Sequence, residues 1–211
     1  HEGTMQGRPA SAAVAEERSA FIRRTYAHLA GAVLLFVVLE AALLRSSFAE
    51  ALIQRMVGSP MSWLVVLGLF MFTGWIADRW ARSDRSPGMQ YAGLLLYVVA
   101  EAIIFLPLLY VATYLTKDPN LLPTAGLLTL TLFGGLTGTV FITRKDFSFM
   151  RGALAVGGFI ALGIIVAAIL FGFSLGVFFS VAMVGLAGGY ILYYTSNVLH
   201  HYRTDQHVAA S

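Results

Sequence analysis

Six long apolar runs constrain this chain more than any other feature of its sequence. Each is close to the length of about 20 residues that a helix needs to cross the hydrocarbon core of a bilayer. None shows the short alternating segments that are typical of a membrane β-barrel. The runs cover residues 26–44, 62–77, 89–115, 124–143, 152–171 and 177–199. The sequence therefore predicts an all-α integral membrane protein, a bundle of about six transmembrane helices.

The composition agrees with this prediction. Of the 211 residues, 58% are hydrophobic and only 12% are charged, and the mean hydropathy is +0.76. A soluble domain carries roughly 25% charged residues, so the excess apolar surface is expected to face lipid. The length leaves no room for a soluble catalytic module beside the spans. The chain has no cysteine, which excludes disulfides, thiolate catalysis and cysteine-bound metals.

The pattern predicts three segments. Residues 1–24 form a polar lead, whose first four residues resemble an expression scar and whose positions 11–24 suit an interfacial helix. Residues 25–199 form the helical bundle, and residues 200–211 form a cytoplasmic tail that we interpret as the start of a missing helix. Within the bundle, a polar loop is expected at 45–60 and a break at Pro107. Small-residue stretches at 134–138 and 185–189 predict close helix contacts.

Basic residues predict the orientation. Only three of the 14 Lys and Arg residues, Arg45, Arg55 and Lys117, fall on the side of the membrane opposite the N-terminus. Because basic loops stay in the cytoplasm, both ends are expected there. The basic residues are spread between apolar runs rather than gathered on one face, so lipids are the expected partner and nucleic acid is not.

Ionisable residues within spans are functional candidates because a charge in hydrocarbon is costly. Glu101 lies near the middle of the third run, where it either serves an ion pathway or stays neutral and hydrogen-bonded to a neighbouring helix. Glu40 lies near the outer end of the first run, and we interpret it as a side chain that snorkels to the interface. His28, near the inner end, is expected to be an interfacial histidine rather than a proton relay.

Charged residues at the span ends have simpler explanations. Asp78 and Arg79 close the second span and are expected to anchor it at the interface, although Arg79 could instead pair with a carboxylate on another helix. Adjacent His200 and His201 diverge on a helix, so with His207 they predict an interfacial cluster rather than a metal site. No catalytic motif is present, so we expect neither an enzyme nor a cofactor.

Four segments together resemble the Bax inhibitor-1 family, also called the transmembrane Bax inhibitor motif family. They are FIRRTYAHLAGAVLLFVVLEAALL, EAIIFLPLLYVA, RKDFSFMRGAL and GGYILYYTSNVLHH. The resemblance covers nearly the whole chain from about Phe21, and its most specific parts are RKDFSF and YILY. It implies six helices around a central seventh, in a bacterial inner membrane.

The resemblance also implies a pH-sensitive calcium leak. In bacterial relatives, two aspartates in the last two helices share a proton, and an arginine that ends the second span pairs with one of them. By position, that arginine matches Arg79. The first aspartate falls at Tyr194, since YILYD of the family is YILYY here. A phenol has a pKa near 10 and cannot replace this acid. The second aspartate would lie in a seventh helix, which is expected to follow Ser211.

Two hypotheses follow. The leading one is a membrane protein that passes cations, with Ca²⁺ as the transported ion, Glu101 as the intramembrane carboxylate and Arg79 at the inner mouth. The alternative is a non-conducting regulatory protein that binds partners such as a membrane protease or a cell-death regulator. The loss of the acid at Tyr194 favours the alternative, because a non-conducting relative could keep the fold.

Overall fold

A computed structural model describes residues 15–57, 59–82, 86–116 and 118–211. This part of the chain is helical. The helices are α1 (Ala15–Leu43), α2 (Ser47–Val57), α3 (Pro60–Ala81), α4 (Pro87–Tyr110, continued by a π-helix at Val111–Leu115), α5 (Leu121–Thr143), α6 (Arg151–Phe171, preceded by a 3₁₀ turn at Ser148–Met150), α7 (Gly176–His200) and α8 (His207–Ala210).

Six of these helices, α1 and α3–α7, are long and apolar enough to cross a membrane. Their large apolar side chains are widely exposed, with Ile142 at 84% and Phe178 at 93%. Soluble monomers rarely expose contiguous apolar surface on this scale. The predicted all-α membrane protein with six spans is therefore confirmed. The first span is longer than expected, because α1 begins at Ala15 and includes the second half of the polar lead.

Some sequence-based predictions concern positions outside the described residues. They are the expression scar at 1–4, the lead up to residue 14, and three basic residues that entered the orientation argument, Arg8, Arg85 and Lys117.

The predicted polar loop at 45–60 is wrong over most of its length, because residues 47–57 form α2. Ala49 and Met56, two helical turns apart, are almost fully buried, whereas Glu50 and Arg55 are exposed. The charged residues therefore belong to the outer face of an amphipathic helix. These charged residues made the apolar spacing on the buried face of α2 hard to recognise in the sequence.

Pro107 does not break the third span, in contrast to the prediction. It lies inside α4, and the helix continues through it to Leu115. Hydrocarbon supplies no hydrogen bonds to an unwound backbone, so a membrane segment stays helical around a proline. The proline instead alters the hydrogen-bonding pattern one turn later. There the chain is π-helical, and Thr116 N–H donates to the carbonyl of Val111 at 3.1 Å.

The chain divides into two compact units, the first formed by α1–α4 and α8. Within this unit, α3 and α4 approach each other closely at Gly93 of α4. A Cβ atom at this position would lie 2.6 Å from both the carbonyl oxygen of Ala77 and the backbone nitrogen of Ala81 on α3. Only glycine lets the two backbones approach so closely. This glycine stands outside the small-residue stretches that the sequence analysis emphasised.

The second unit consists of α5–α7. In the stretch at 185–189, Gly188 and Gly189 pack against leucine side chains of α5 and α6, which confirms the predicted close contacts there. In the stretch at 134–138, a Cβ atom at Gly134, Gly135 or Gly138 would meet nothing within 4 Å, so these glycines do not make the predicted contact, and Leu136 between them packs against Gly188 instead. A small residue permits a close approach, but it does not determine which face of its helix meets a neighbour.

We expect Gly93→Ala to lower the free energy of unfolding by about 1–3 kcal/mol, because α3 and α4 must separate to admit the methyl group. Reversible unfolding in mixed micelles measures this change. The matched control is Gly68→Ala on α3, where the methyl group meets nothing within 4 Å. Equal stabilities for the two variants would contradict the proposed role of Gly93.

Candidate functional site

Two carboxylates lie within the spans of the first unit. Glu101 is half-buried in the middle of α4. Glu40 of α1 is only 4% exposed, and neither of its carboxylate oxygens has a hydrogen-bond partner among the described residues. The predicted snorkelling of Glu40 is therefore wrong, because its oxygens are enclosed by protein. A buried carboxylate without a partner is costly to keep, which makes it a functional candidate.

The two carboxylates are staggered along one helix pair. Helices α1 and α4 run in the same direction, as three contacts in matching order show: His28 with Tyr91, Phe36 with Phe105, and Leu44 with Tyr114. Glu101 falls between the first and second of these levels, and Glu40 falls between the second and third. Acidic groups therefore occur at two successive depths of the membrane along α1 and α4.

The charges that end α3 are engaged within their own helix. The guanidinium of Arg79 lies 5.4 Å from the centroid of the Trp75 ring, a cation–π contact. Asp78 accepts a hydrogen bond from Arg82 at 2.8 Å, one turn further on. Both interactions suit an interfacial anchor, the simpler of the two explanations that the sequence left open.

Tyr194 belongs to a row of aromatic residues on α7. Its ring lies 5.8 Å from that of Tyr190 and 5.2 Å from that of Tyr193, and the residue is 52% exposed. Tyr190 donates a hydrogen bond from its hydroxyl to the carbonyl of Leu154 on α6 at 3.0 Å. The position that matches an aspartate in the family pattern therefore carries an exposed aromatic side chain.

A histidine cluster joins α1, α4 and α8. His28 Nδ1 lies 2.7 Å from the carbonyl oxygen of Arg24, and Nε2 lies 2.8 Å from the Tyr91 hydroxyl. A carbonyl can only accept, so Nδ1 carries a proton, and a neutral ring then accepts from Tyr91 through Nε2. The His207 ring lies 5.1 Å from that of His28, and its Nδ1 is buried without a hydrogen-bond partner in the described structure.

Burial lowers the pKa of His207, and the neighbouring His28 and Arg24 lower it further, while Asp205 acts in the opposite direction. The neutral imidazole is therefore the form that fits this position. The sequence pattern predicts an interfacial cluster of His207 with His200 and His201, but the neighbour of His207 in the structure is His28.

In the second unit, Asp146 fastens the loop between α5 and α6 to the end of α7. Its Oδ1 accepts hydrogen bonds from Ser148 N–H at 2.8 Å and from the Ser196 hydroxyl at 3.2 Å. Its Oδ2 lies 3.2 Å from His201 Nε2. The Ser196 hydroxyl in turn accepts from Phe147 N–H at 2.8 Å. The hydrogen bond from Ser148 holds the pKa of Asp146 below its usual value, and His201 and Ser196 act in the same direction.

Sequence reasoning did not identify this cluster, although RKDFSF was among the segments that carry the resemblance. An acid two residues before Ser148 is typical of an Asx turn, so the local bond could have been predicted. Its partner Ser196 is 50 residues away in the chain, and no local pattern points to it. The backbone conformation of Arg144 also helps to position this loop. Arg144 is left-handed, with φ of 51°, and it ends α5 where the loop begins.

Within the four described ranges, no three His, Asp or Glu side chains are placed to hold a metal ion together. His200 Nδ1 contacts the carbonyl oxygen of Ser196 at 3.0 Å, whereas His201 contacts Asp146. The two neighbouring imidazoles thus have different partners.

We expect Asp146→Ala to lower the free energy of unfolding by roughly 1 kcal/mol, because it leaves the Ser148 N–H without its acceptor. The expected loss is small because the Asp146 side chain is 42% exposed, so water can partly replace its hydrogen bonds. Thermal unfolding in detergent measures it. Lys145→Ala, at an exposed position in the same loop, is the matched control, and an equal loss in the control would exclude a specific role for Asp146.

We expect α8 to detach more readily as the pH falls below about 6.5, the ordinary pKa of histidine. Because the pKa of His207 is lowered in the folded chain, the docked form binds protons less readily than the free form. The contribution of His207 to the stability of the docked α8 is complete above the ordinary pKa of histidine and is lost as the pH falls below it. Hydrogen exchange over residues 203–211, corrected for intrinsic rates, measures this effect. His207→Asn should remove the pH dependence, and an unchanged dependence would contradict the assignment.

The sequence of this chain is similar to that of known proteins. One similar protein is an uncharacterized protein of Pseudomonas aeruginosa, which is 33% identical over 95 residues, or 44% of this chain. The matched part covers 43% of that relative, less than half of its length. No solved structure matches the chain. The family model described as "Inhibitor of apoptosis-promoting Bax1" matches residues 18–211, and the chain therefore belongs to the Bax inhibitor-1 family.

Proposed function

We propose that this protein passes cations, and Ca²⁺ in particular, across the membrane. The observation that carries the proposal is the staggered pair of carboxylates on α1 and α4. Glu40 is enclosed by protein without a hydrogen-bond partner among the described residues, and Glu101 is half-buried at the next level. A cation that moves along this helix pair would meet a negative group at each of two depths. Intramembrane acids of this kind mark ion pathways in other membrane proteins.

Calcium suits these groups because it prefers six to eight oxygen ligands in flexible geometry. Glu101 supplies one carboxylate. Pro107 has no N–H, so the carbonyl of Ile103 lacks its α-helical donor and can contribute a further oxygen. Arg79 lies at the C-terminal end of α3, where a positive charge would shape cation entry at the inner mouth. The proposed location is a bacterial inner membrane with the N-terminus in the cytoplasm.

The test is calcium flux into liposomes that contain the full chain and an enclosed calcium indicator. We expect Glu101→Gln to lower the flux about tenfold, the effect of about 1.4 kcal/mol of lost interaction with the ion. Glu40→Gln should act in the same direction, because the amide keeps the shape of the side chain and removes its charge.

Glu50→Gln is the matched control, since Glu50 is exposed on α2. It should leave the flux unchanged. Wild-type flux no greater than that of protein-free liposomes at any pH between about 5 and 8 would overturn the proposal. Equal flux in wild type and both span variants would remove the carboxylates from the pathway even if ions pass.

A second candidate is a regulatory protein that does not conduct and instead binds a membrane protease or a cell-death regulator. Tyr194 favours it, because the position that matches a family aspartate holds an exposed phenol. Under this alternative, chemical cross-linking in native membranes captures a specific protein partner while wild-type flux is absent. Neither candidate involves an enzymatic reaction or a bound cofactor.

A further inference from the structure

A cavity of about 460 Å³ lies along the interface of α1 and α4 in the first unit. Its walls are mostly apolar and include Ala27, Gly31 and Leu35 of α1 and Leu94, Leu95 and Val98 of α4. The volume falls within the range of about 300–1,000 Å³ that is usual for small-molecule sites. Residues 27–35 of α1 span about 12 Å at 1.5 Å per residue. One leaflet of the hydrocarbon core is about 15 Å deep, so the cavity extends through most of a leaflet.

The cavity is an open groove rather than a sealed void. Ala27, Gly31 and Leu95 are all exposed along it. Small residues on α1 create the recess, and a Cβ atom at Gly31 would meet nothing within 4 Å. Because both helices are membrane spans, the molecules that surround such a groove are lipids, and an acyl chain matches its apolar walls and its length.

One end of the groove is polar and basic. His28 and Tyr91 line it and are hydrogen-bonded to each other at 2.8 Å. One helical turn before Ala27 and His28 come Arg23 and Arg24, on the same side of α1 and both exposed. Neither guanidinium forms a salt bridge in the part of the chain that the structure describes, where three other pairs occur. Two available cations therefore lie at the membrane surface, directly beyond the apolar groove.

We propose that the α1–α4 groove binds one acyl chain of an anionic phospholipid, whose phosphate pairs with Arg24 at the N-terminal end of α1. The apolar part recognises the chain, and the basic end selects a negative headgroup over a zwitterionic one. Arginine suits this contact because its planar guanidinium donates two parallel hydrogen bonds to phosphate oxygens. The binding site is independent of the proposed ion pathway, since it uses neither Glu40 nor Glu101.

Native mass spectrometry of the full chain, purified in detergent with equal amounts of phosphatidylglycerol and phosphatidylcholine, tests the proposal. We expect the wild type to retain one phosphatidylglycerol, about tenfold more often than phosphatidylcholine. Gly31→Leu fills the groove and should abolish this retention. Gly68→Leu places the same side chain at an exposed glycine of α3 that also has open space around it, and it should retain the lipid as wild type does.

Further variants separate the two parts of the site. Arg24→Gln should bring the preference for phosphatidylglycerol close to one, whereas Arg24→Lys should preserve most of it. Ala27→Leu is a second groove-filling variant, which keeps the test decisive if Gly31→Leu does not fold. Inorganic phosphate should not displace the lipid, because it lacks the acyl chain.

Three results would overturn the proposal. The first is equal retention of the two lipids by the wild type. The second is equal retention by the groove-filling variants and Gly68→Leu. The third is a groove-filling variant that keeps its lipid but changes from dimer to monomer in detergent, since the groove would then be covered by a second copy of the chain.

Discussion

Hydrocarbon offers no hydrogen-bond partner to a peptide group, and this constraint underlies most of the structure. A segment that crosses the bilayer must satisfy its own backbone, which it does here by forming helices. The constraint explains why Pro107 is accommodated inside α4 instead of ending it. It also explains why the adjustment takes the form of π-helical bonding at Val111–Leu115, which keeps the backbone hydrogen-bonded, rather than a loop.

The same solvent removes the usual reason for helices to associate. Apolar side chains gain little by leaving lipid for protein, so close packing and polar contacts must join the helices. Gly93 provides such packing between α3 and α4. The hydroxyl of Tyr190 provides a polar contact between α7 and α6, and Asp146 connects a loop to α7 through Ser196. In each case a specific side chain, or its absence, positions the helix that carries a candidate functional residue.

The surroundings of a charged residue depend on its depth in the membrane. Near the membrane surface they find local partners, as Asp78 does with Arg82 and Arg79 with Trp75. Within the spans, the carboxylate of Glu40 is buried with no hydrogen-bond partner in the part of the chain that the structure describes, and Glu101 is half-buried. Surface pairs of the first kind contribute little to stability. Buried acids are costly, and this contrast is why the proposed ion pathway rests on Glu40 and Glu101 rather than on the charges at the helix ends.

The sequence by itself determined the fold class, the six spans and the family. Apolar run length is a local property with a direct physical meaning, and the motifs that resemble the Bax inhibitor-1 family are contiguous. Sequence reasoning also selected Glu101, because an acid in the middle of an apolar run is visible without knowing its neighbours. The prediction of a loop at 45–60 was wrong because charged residues interrupt the apolar residues of α2, and this made the segment resemble a polar loop.

Only the tertiary structure decided which side chains meet. Glu40 was expected at the interface, but it lies on the buried face of α1 and is almost fully enclosed by protein. The partners His28 and His207, and likewise Asp146 and Ser196, are far apart in the chain. The glycines that matter for packing are those that face a neighbouring helix, such as Gly93, rather than those in the richest stretch. Span length depends on how a helix meets lipid, whereas these contacts depend on how helices are rotated against one another, which no local pattern specifies.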